Sequence, residues 1–358
     1  MVQNKALIFK SIPKGMPVPG KDLATETREF DLNQAPPAGG VILKSYYASF
    51  DPYLRGRMRA PEVKSYSPPF PIGEPIVTQS VAKVLKSDNP RLAEGDWVKA
   101  YLPVQEYGVA LKGYADKGLT KIVNPYGLEL SLFIGALGMP GLTAYSSFYD
   151  IGQPKKGETI FISAASGAVG QIVGQLAKHE GLTVIGSVGS DEKLDFILKE
   201  LNFDSGFNYK KEKPADALKR LAPNGIDIYY ENVGSEHLEA AINALNDFGR
   251  IVACGMISGY STPDDEKYPI KNMFKVVPKR LTIRGFIVGD ANMGPRYAKE
   301  HQEKMAKWLH EGTFKAKVSV TEGIDNGAEG FVGMLNGKNF GKAVLKIADP
   351  EEKKGEKL

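Results

Sequence analysis

The stretch TIFISAASGAVGQIVGQLAK, residues 159–178, decides the fold. It begins with a β-branched apolar run, continues through small residues, and ends with apolar residues at helical spacing. This order predicts a strand, a tight turn and a helix. Small residues let a phosphate approach the unpaired N–H groups and the positive dipole end at the start of a helix. The motif is A-x-G-x-x-G, with Ala165 in place of the first glycine. Taken alone, it also fits a packed strand–helix turn without a ligand.

The segments around this motif continue the alternation of strands and helices. The predicted strands are Thr159–Ala164, Thr183–Val188, Gly206–Tyr209, Asp227–Val233, Arg250–Gly255 and Leu281–Val288. Helical patterns lie between them, which predicts an α/β fold with a Rossmann-type doubly wound parallel sheet over residues 126–300. Right-handed crossovers would place the Gly167 turn at the carboxyl edge of that sheet, where ligands bind.

Residues 1–125 have a different character. Short β-type runs alternate with Gly- and Pro-rich connections, and the strands are predicted at Ala6–Lys10, Val41–Ser49, Ile76–Leu85 and Asp96–Leu102. This pattern indicates a small, mostly β domain. The mixed pattern after residue 300 is expected to rejoin it. The predicted domains are therefore 1–125 with 301–358, and 126–300 inserted between them.

Composition excludes several classes of protein. The chain has 358 residues, a net charge of +4 and a single cysteine. Such a small charge does not favour binding to nucleic acid or to an anionic membrane. No apolar run approaches a membrane span, and the first residues lack the apolar core of a signal peptide. One cysteine suits a reducing compartment, so we expect a cytoplasmic protein.

The end of the second predicted strand indicates which dinucleotide is bound. An NAD-preferring enzyme usually has an acid there for the ribose 2′-hydroxyl, but this strand ends Val188-Gly189-Ser190. Asp191 occupies a helix-capping position instead. Gly189, Ser190, Lys193 and Tyr209 could supply room, donors and charge to a 2′-phosphate, so NADPH is predicted. Lys193 is equally typical of an exposed helix position, and Tyr209 of a core.

A metal site is not predicted. Zinc alcohol dehydrogenases share this order of domains, but they need cysteine and histidine ligands. This chain has one cysteine, Cys254, and four histidines, none of them in the first half of the chain's first domain. Cys254 precedes Gly255 and is interpreted as a small residue beside the cofactor. No activated nucleophile is evident.

Nine short segments, in order, carry a resemblance to a known family. They are Phe50–Arg55, Met139–Tyr145, Ala164–Gly170, Gly189–Lys193, Phe207–Lys210, Glu231–Gly234, Cys254–Tyr260, Gly285–Val288 and Asn339–Lys342. On these segments the chain resembles the zinc-free medium-chain dehydrogenase/reductases. It is most similar to the branch of prostaglandin reductases, alkenal double-bond reductases and curcumin reductase. The resemblance implies a GroES-like first domain.

The resemblance also implies roles for individual residues. Tyr260 would be catalytic, and Tyr53 would bind substrate. The cofactor would be held by Met139, Thr143, Gly167, Ala168, Val169, Gly170, Gly189, Ser190, Lys193, Tyr209, Asn232, Cys254, Gly255, Ser258, Tyr260, Phe286, Ile287, Val288 and Asn339. Some positions depart from the family pattern. Glu231 stands where Asp is common, Gly259 is small, and residues 264–271 are unusually charged. These departures leave the identity of the substrate undecided, but not the type of reaction.

The implied reaction is NADPH-dependent reduction of a carbon–carbon double bond conjugated to a carbonyl. Hydride would go to the β-carbon, and the Tyr260 hydroxyl would stabilise the enolate. Water or Tyr260 would protonate the α-carbon. Structural roles for Tyr53 and Tyr260 stay open. A quinone or carbonyl reductase on the same fold is the alternative, and a non-catalytic NADPH-binding protein is a further one. The resemblance also implies a homodimer formed near Leu281–Val288.

Overall fold

The computed structural model describes residues 1–350, and contacts divide the chain into two compact units. Unit 1 comprises Met1–Ile134, Ser319–Lys338 and the residues from Ala343 onward, and unit 2 comprises Gly135–Val318 and Asn339–Lys342. Residues 351–358, which the predicted first domain includes, lie outside the described range. The units are not bounded as the domains were predicted, since residues 301–318 belong to unit 2. The domain assignment stays a prediction.

The strands are β1 (Val2–Phe9), β2 (Leu23–Phe30), β3 (Val41–Ser49), β4 (Val77–Ser87), β5 (Trp97–Pro103), β6 (Tyr107–Ala110), β7 (Thr120–Lys121), β8 (Thr159–Ile162), β9 (Thr183–Val188), β10 (Ser205–Asn208), β11 (Ile226–Glu231), β12 (Leu245–Ala253), β13 (Thr282–Gly285), β14 (Val318–Glu322) and β15 (Lys342–Lys346). The α-helices are α1 (Tyr53–Arg57), α2 (Lys112–Lys117), α3 (Met139–Ser147), α4 (Gly170–His179), α5 (Asp191–Asp195), α6 (Pro214–Leu221), α7 (Ser235–Ala244), α8 (Gly294–His310) and α9 (Gly327–Leu335). Short 3₁₀ turns lie at Leu130–Ile134, Ile257–Gly259, Asp264–Glu266, Met273–Val276 and Ile324–Asn326, and π turns follow α3 and α5 at Phe148–Gly152 and Phe196–Glu200.

Unit 2 contains a six-stranded sheet of order β10-β9-β8-β11-β12-β13, in which every neighbouring pair is parallel. This confirms the predicted doubly wound fold. The central strands β8, β9 and β11 are mostly buried, as parallel strands covered by helices must be, whereas the edge strand β13 is exposed. The apolar residues of α4 predicted from helical spacing are fully buried, namely Ile172, Val173, Leu176 and Ala177. Burial of each larger one stabilises the fold by roughly 1.5–3 kcal/mol.

Unit 1 is mostly β. A sheet of order β14-β15-β3-β4-β5-β7, with β6 also pairing β3, contains strands from both ends of the chain. Of the residues after 300, β14 and β15 belong to this sheet. β1 and β2 form a separate antiparallel pair, from Val2 opposite Phe30 to Phe9 opposite Leu23. The core of this unit includes Phe9, Phe50 and Phe331.

Several local features differ from the sequence prediction. The strand β2 was not predicted, because its sequence LATETREF is largely polar. The helical pattern after the second predicted strand is divided into α5 and a π turn, which is closed by the Leu201 N–H donating to Phe196 O at 3.2 Å. No helix among residues 1–350 is long and apolar enough to cross a membrane.

Candidate active site

The turn between β8 and α4 is built for close approach to the backbone. Ala165 N–H donates to Ser187 O at 2.9 Å, and Gly167 N–H donates to Ala164 O at 2.9 Å. Ala164 has φ of 49°, a strained conformation for an alanine. A Cβ on Gly170 would lie 2.5 Å from Ala164 O, so glycine is required there. The residues Gly167–Gly170 therefore form a tight turn at the first N–H groups of α4, as an anion site needs.

Residues 339–342 lie beside this turn, although they are far from it in sequence. Gly341 forms a parallel bridge with Gly167, and the Asn339 side chain donates to Gly341 O at 2.7 Å. Gly341 has φ of 81°, and a Cβ there would lie 2.1 Å from Lys317 O. The Gln171 side chain of α4 also binds both backbone groups of Lys317. Sequence reasoning missed Gln171 and Lys317, since nothing in their spacing marks this contact.

The residues predicted for the 2′-phosphate come together at the ends of β9 and β10. Ser190 caps α5 by accepting from Lys193 N–H at 3.3 Å. A Cβ on Gly189 would lie 2.9 Å from the Tyr209 hydroxyl, so the missing side chain makes room for that ring. Tyr209 is 41% exposed, which argues against the alternative that it is a core residue. Burial, together with Lys210, lowers the pKa of Lys193.

Asp191, the acid that follows the Gly189–Ser190 turn, already has two partners. Asp191 accepts from the Asn208 amide at 2.9 Å and forms an ion pair with Lys211. Its carboxylate therefore holds the start of α5 against the end of β10. This arrangement leaves a lysine and a tyrosine, rather than an acid, at the position that distinguishes the two dinucleotides.

Behind Tyr209 lies a buried histidine that the sequence analysis did not assign. The rings of Tyr209 and His237 meet edge to face, with centroids 5.3 Å apart. Burial lowers the pKa of His237 to about 4, so it is neutral at physiological pH. His237 therefore packs as an uncharged ring against Tyr209.

The end of β11 carries a buried carboxyl group. Glu231 is fully buried, and its Oε1 accepts from Val233 N at 2.6 Å, Gly234 N at 2.8 Å and the Tyr229 hydroxyl at 2.8 Å. Its Oε2 has no hydrogen-bond partner within the described range, residues 1–350. Burial raises the pKa of Glu231, and the bonds from Gly234 and Val233 oppose that shift.

Asn232 follows this carboxyl and is tied to the end of β8. Its backbone N–H donates to the Ser163 hydroxyl at 2.9 Å, and its side-chain amide donates to Ser163 O at 2.8 Å. These two bonds hold Asn232 at the carboxyl edge of the two central strands. That edge is where ligands bind in sheets of this order.

The segment after β12 carries Cys254, Gly255, Ser258 and Tyr260. Burial raises the pKa of the Cys254 thiol to about 12, which suits a packing role and not a nucleophile. The Tyr260 hydroxyl accepts from Met256 N–H at 3.2 Å. A Cβ on Gly255 would lie 3.0 Å from that oxygen, so Gly255 makes room for it. Tyr260 is 36% exposed and is thus accessible to a ligand.

Two further groups of predicted residues lie in unit 2. Phe286, Ile287 and Val288 directly follow β13, whose Gly285 pairs with Ala253 of β12, so they leave the sheet beside Cys254. Met139 and Thr143 lie on α3 one turn apart, and the Thr143 hydroxyl donates to Met139 Sδ at 3.4 Å. Apart from residues 139, 143 and 339, all predicted cofactor residues follow the carboxyl ends of the parallel strands.

Tyr53 is the predicted site residue of unit 1 and begins α1. Its hydroxyl is buried, and Thr78 and Arg57 are the polar side chains that interact with it. Burial, followed by Asp51, raises the pKa of Tyr53 above its usual value, so the hydroxyl keeps its proton.

Comparison with known proteins relates this geometry to a family. Residues 168–309 match the model of the zinc-binding dehydrogenases, and residues 5–122 match that of the N-terminal domain of oxidoreductases. The chain is 56% identical to the NADP-dependent oxidoreductase RED1 of Cochliobolus heterostrophus, over 98% of this chain and 99% of that protein. It is 40% identical to the NADP-dependent 2-alkenal reductase of Nicotiana tabacum, over 97% and 98% of the two chains. The crystal structure of CurA from Vibrio vulnificus in complex with NADPH matches with a TM-score of 0.88 and 35% identity, over 97% of this chain and 100% of that one.

Proposed function

Because the chain belongs to the zinc-free medium-chain dehydrogenase/reductases, in the branch of alkenal and curcumin reductases, we propose that it reduces the carbon–carbon double bond of α,β-unsaturated aldehydes or ketones with NADPH. One observation carries the proposal. Most of the residues predicted to bind the cofactor follow the carboxyl ends of the parallel strands, and Tyr260 is among them.

The choice of NADPH is supported by the fit of the residues at β9 and β10. Gly189 leaves room beside Tyr209, Lys193 supplies a positive charge, and Asp191 is engaged by Asn208 and Lys211. A 2′-phosphate requires such cations and donors. The Gly167–Gly170 turn would hold the pyrophosphate, since a side chain at Gly170 would collide with the backbone. The relatives named as NADP-dependent support the same choice.

In the proposed mechanism, bound NADPH supplies the hydride that adds to the β-carbon of the substrate. The chain's own residues act on the charge that then develops on the carbonyl oxygen. The Tyr260 hydroxyl, whose oxygen is fixed by Met256 N–H, would donate a hydrogen bond to the enolate oxygen. Tyr53, whose buried hydroxyl keeps its proton, would orient the substrate. The α-carbon would take its proton from water or from Tyr260.

The proposal is tested by following NADPH oxidation with a medium-chain 2-alkenal and with the matching saturated aldehyde. Turnover of the alkenal alone supports alkene reduction. Turnover of the saturated aldehyde would refute it in favour of a carbonyl reductase. Tight NADPH binding without turnover of any enone, quinone or aldehyde would favour a binding protein.

Tyr260→Phe tests the residue assigned to the enolate. Removal of one preorganised donor typically lowers kcat by roughly 100- to 1,000-fold. We expect a loss of this size with little change in the Kd for NADPH, measured by fluorescence titration. Tyr268→Phe, on another exposed tyrosine of unit 2, is the matched control and should leave kcat unchanged. An unchanged kcat in Tyr260→Phe would remove Tyr260 from the mechanism.

We also propose a homodimer formed through the edge of the unit 2 sheet. Among residues 1–350, β13 pairs with β12 alone, so its other edge is open to them. Apolar side chains nearby are exposed, including Ile283 at 38%, Phe274 at 69% and Val277 at 79%. An open strand edge beside apolar surface is suited to pairing with a second copy.

A further inference from the structure

A chain of hydrogen bonds joins the buried Glu231 carboxyl to the segment of Tyr260. The first link is the turn at residues 232–234. Glu231 Oε1 accepts from Val233 N–H and Gly234 N–H, and these two bonds fix the turn from inside the protein. The Ser163 hydroxyl, 3.3 Å from the same oxygen, also binds Asn232 N–H and so holds the turn to β8.

The second link runs from this turn to the Tyr260 segment. Asn232 O accepts from Ile257 N–H at 3.2 Å, and Val233 O accepts from Ser258 N–H at 3.1 Å. The Ser258 hydroxyl donates to the same Val233 oxygen. The turn therefore carries three hydrogen bonds from the segment that ends in Tyr260.

The third link lies within that segment. Tyr260 N–H donates to Ile257 O at 3.2 Å, and its hydroxyl accepts from Met256 N–H. Close packing also restricts movement of the segment relative to the turn. The two are so close that a Cβ on Gly234 would lie 3.1 Å from Met256 Cβ. Any shift of the turn must therefore move the backbone that fixes the Tyr260 hydroxyl.

We propose that Glu231 is a positioning residue for Tyr260: its buried carboxyl fixes the 232–234 turn, and the turn holds the Tyr260 segment in place. This inference rests on the proposed role of Tyr260. Electrostatic stabilisation of an enolate depends on a donor held in advance, and a misplacement of about 1 Å can cost roughly 100-fold in rate. Glu231 touches neither substrate nor reacting atoms in this account.

Two substitutions separate the hydrogen bonds of Glu231 from its charge. Glu231→Leu keeps the approximate size but removes the acceptor for four donors. We expect kcat to fall by up to about 100-fold, with the Kd for NADPH changed much less. Glu231→Gln keeps one carbonyl oxygen in the place of Oε1, and its amide can occupy the place of the unpartnered Oε2. It should retain most of the wild-type kcat.

A double-mutant cycle with Tyr260→Phe distinguishes positioning from general damage. If Glu231 acts through Tyr260, Glu231→Leu should cause no further loss of kcat in the Tyr260→Phe background. Asp227→Leu is the matched control, because Asp227 lies on the same strand and accepts from Thr159 N–H and the Asn246 amide at the strand's other end. It should lower Tm with little effect on kcat.

A spectroscopic measurement tests the same inference without turnover. With 3-fluorotyrosine at position 260, the ¹⁹F resonance should shift or broaden in Glu231→Leu but not in Asp227→Leu. An unchanged resonance, or losses of kcat that multiply in the double mutant, would overturn the inference. If Glu231→Leu does not fold, Ser258→Ala removes a single link to Val233 O, and its loss of kcat should likewise vanish in the Tyr260→Phe background.

The two proposals fail in different ways. An unchanged kcat in Tyr260→Phe alone would overturn the catalytic role of Tyr260, while the fluorine resonance would still decide whether Glu231 fixes its position. A large loss in Tyr260→Phe, combined with multiplicative losses in the double mutant, would overturn only the role of Glu231.

Discussion

Lys193→Ala should weaken the binding of NADPH without changing the binding of NADH. Lys193 lies in the first turn of α5, directly after the Gly189–Ser190 turn, and its side chain is half-buried. Partial burial reduces screening by solvent, so a contact with a 2′-phosphate would keep much of its strength. The alanine removes that contact without disturbing the cap, which uses the Lys193 backbone N–H.

The expected loss of NADPH affinity depends on the contact that Lys193 would lose and on the contact that Lys210 would keep. A hydrogen bond to a charged group contributes about 1.5–3 kcal/mol, which corresponds to roughly 10- to 150-fold in Kd. Lys210 is close enough to lower the pKa of Lys193, so it would still attract the phosphate after the substitution. We therefore expect the lower part of this range, about 10- to 30-fold for NADPH. The Kd for NADH should not change.

The assay is equilibrium titration of both nicotinamide cofactors, followed by their fluorescence, with kcat/KM ratios measured on an enone. Lys199→Ala is the matched control, because Lys199 is an exposed lysine that pairs with Asp195 at 2.9 Å. It should alter neither cofactor's Kd. An equal loss of affinity for NADPH and NADH would refute the reasoning, since Lys193 would then support the fold and not the phosphate.

Three further predictions test other features of the structure. Gly170→Ala should destabilise the protein by about 1–3 kcal/mol and weaken NADPH binding. The added Cβ would lie 2.5 Å from Ala164 O, and this clash outweighs the better helix propensity of alanine. Gly113→Ala is the control, because that position has open space around it, and it should not lower Tm in a thermal melt. Cys254, with its pKa raised by burial to about 12, should react with iodoacetamide at pH 8 only slowly until the protein is unfolded, as mass spectrometry would show; rapid labelling of the native protein would contradict this. Ile283→Asp should yield monomers in sedimentation equilibrium if the open edge of β13 forms the dimer, and an unchanged mass would exclude that edge.

Features of the fold could be predicted from the sequence where the local structure itself requires a particular type of residue. The alternation of strands and helices after Thr159 predicted the parallel sheet, since buried parallel strands are apolar throughout and their helices are amphipathic. The Gly167–Gly170 turn could be predicted because glycines mark it, and the structure leaves no space for a side chain at Gly170. By contrast, β2 could not be predicted. Its sequence is polar and lacks the alternation typical of a strand, and it forms a strand because it pairs with β1.

The supporting residues of the candidate site could not be found in this way. Gln171 binds the backbone of Lys317, more than a hundred residues away, and any segment of the chain could supply such backbone groups. Glu231 was noticed only as a departure from the aspartate common in the family. Its partners are the N–H groups of the two residues Val233 and Gly234, which every sequence possesses, so only the folded turn reveals the contact.

The presence of glutamate rather than aspartate at position 231 affects where the turn at residues 232–234 lies. A glutamate carboxyl at the end of β11 reaches Val233 N and Gly234 N through one more methylene than an aspartate has. The shorter side chain could keep both bonds only if the turn moved toward the strand. The turn also accepts Ile257 N–H and Ser258 N–H, so such a movement would carry the Tyr260 segment with it. The identity of a residue that need not touch substrate can therefore set where the proposed catalytic hydroxyl lies.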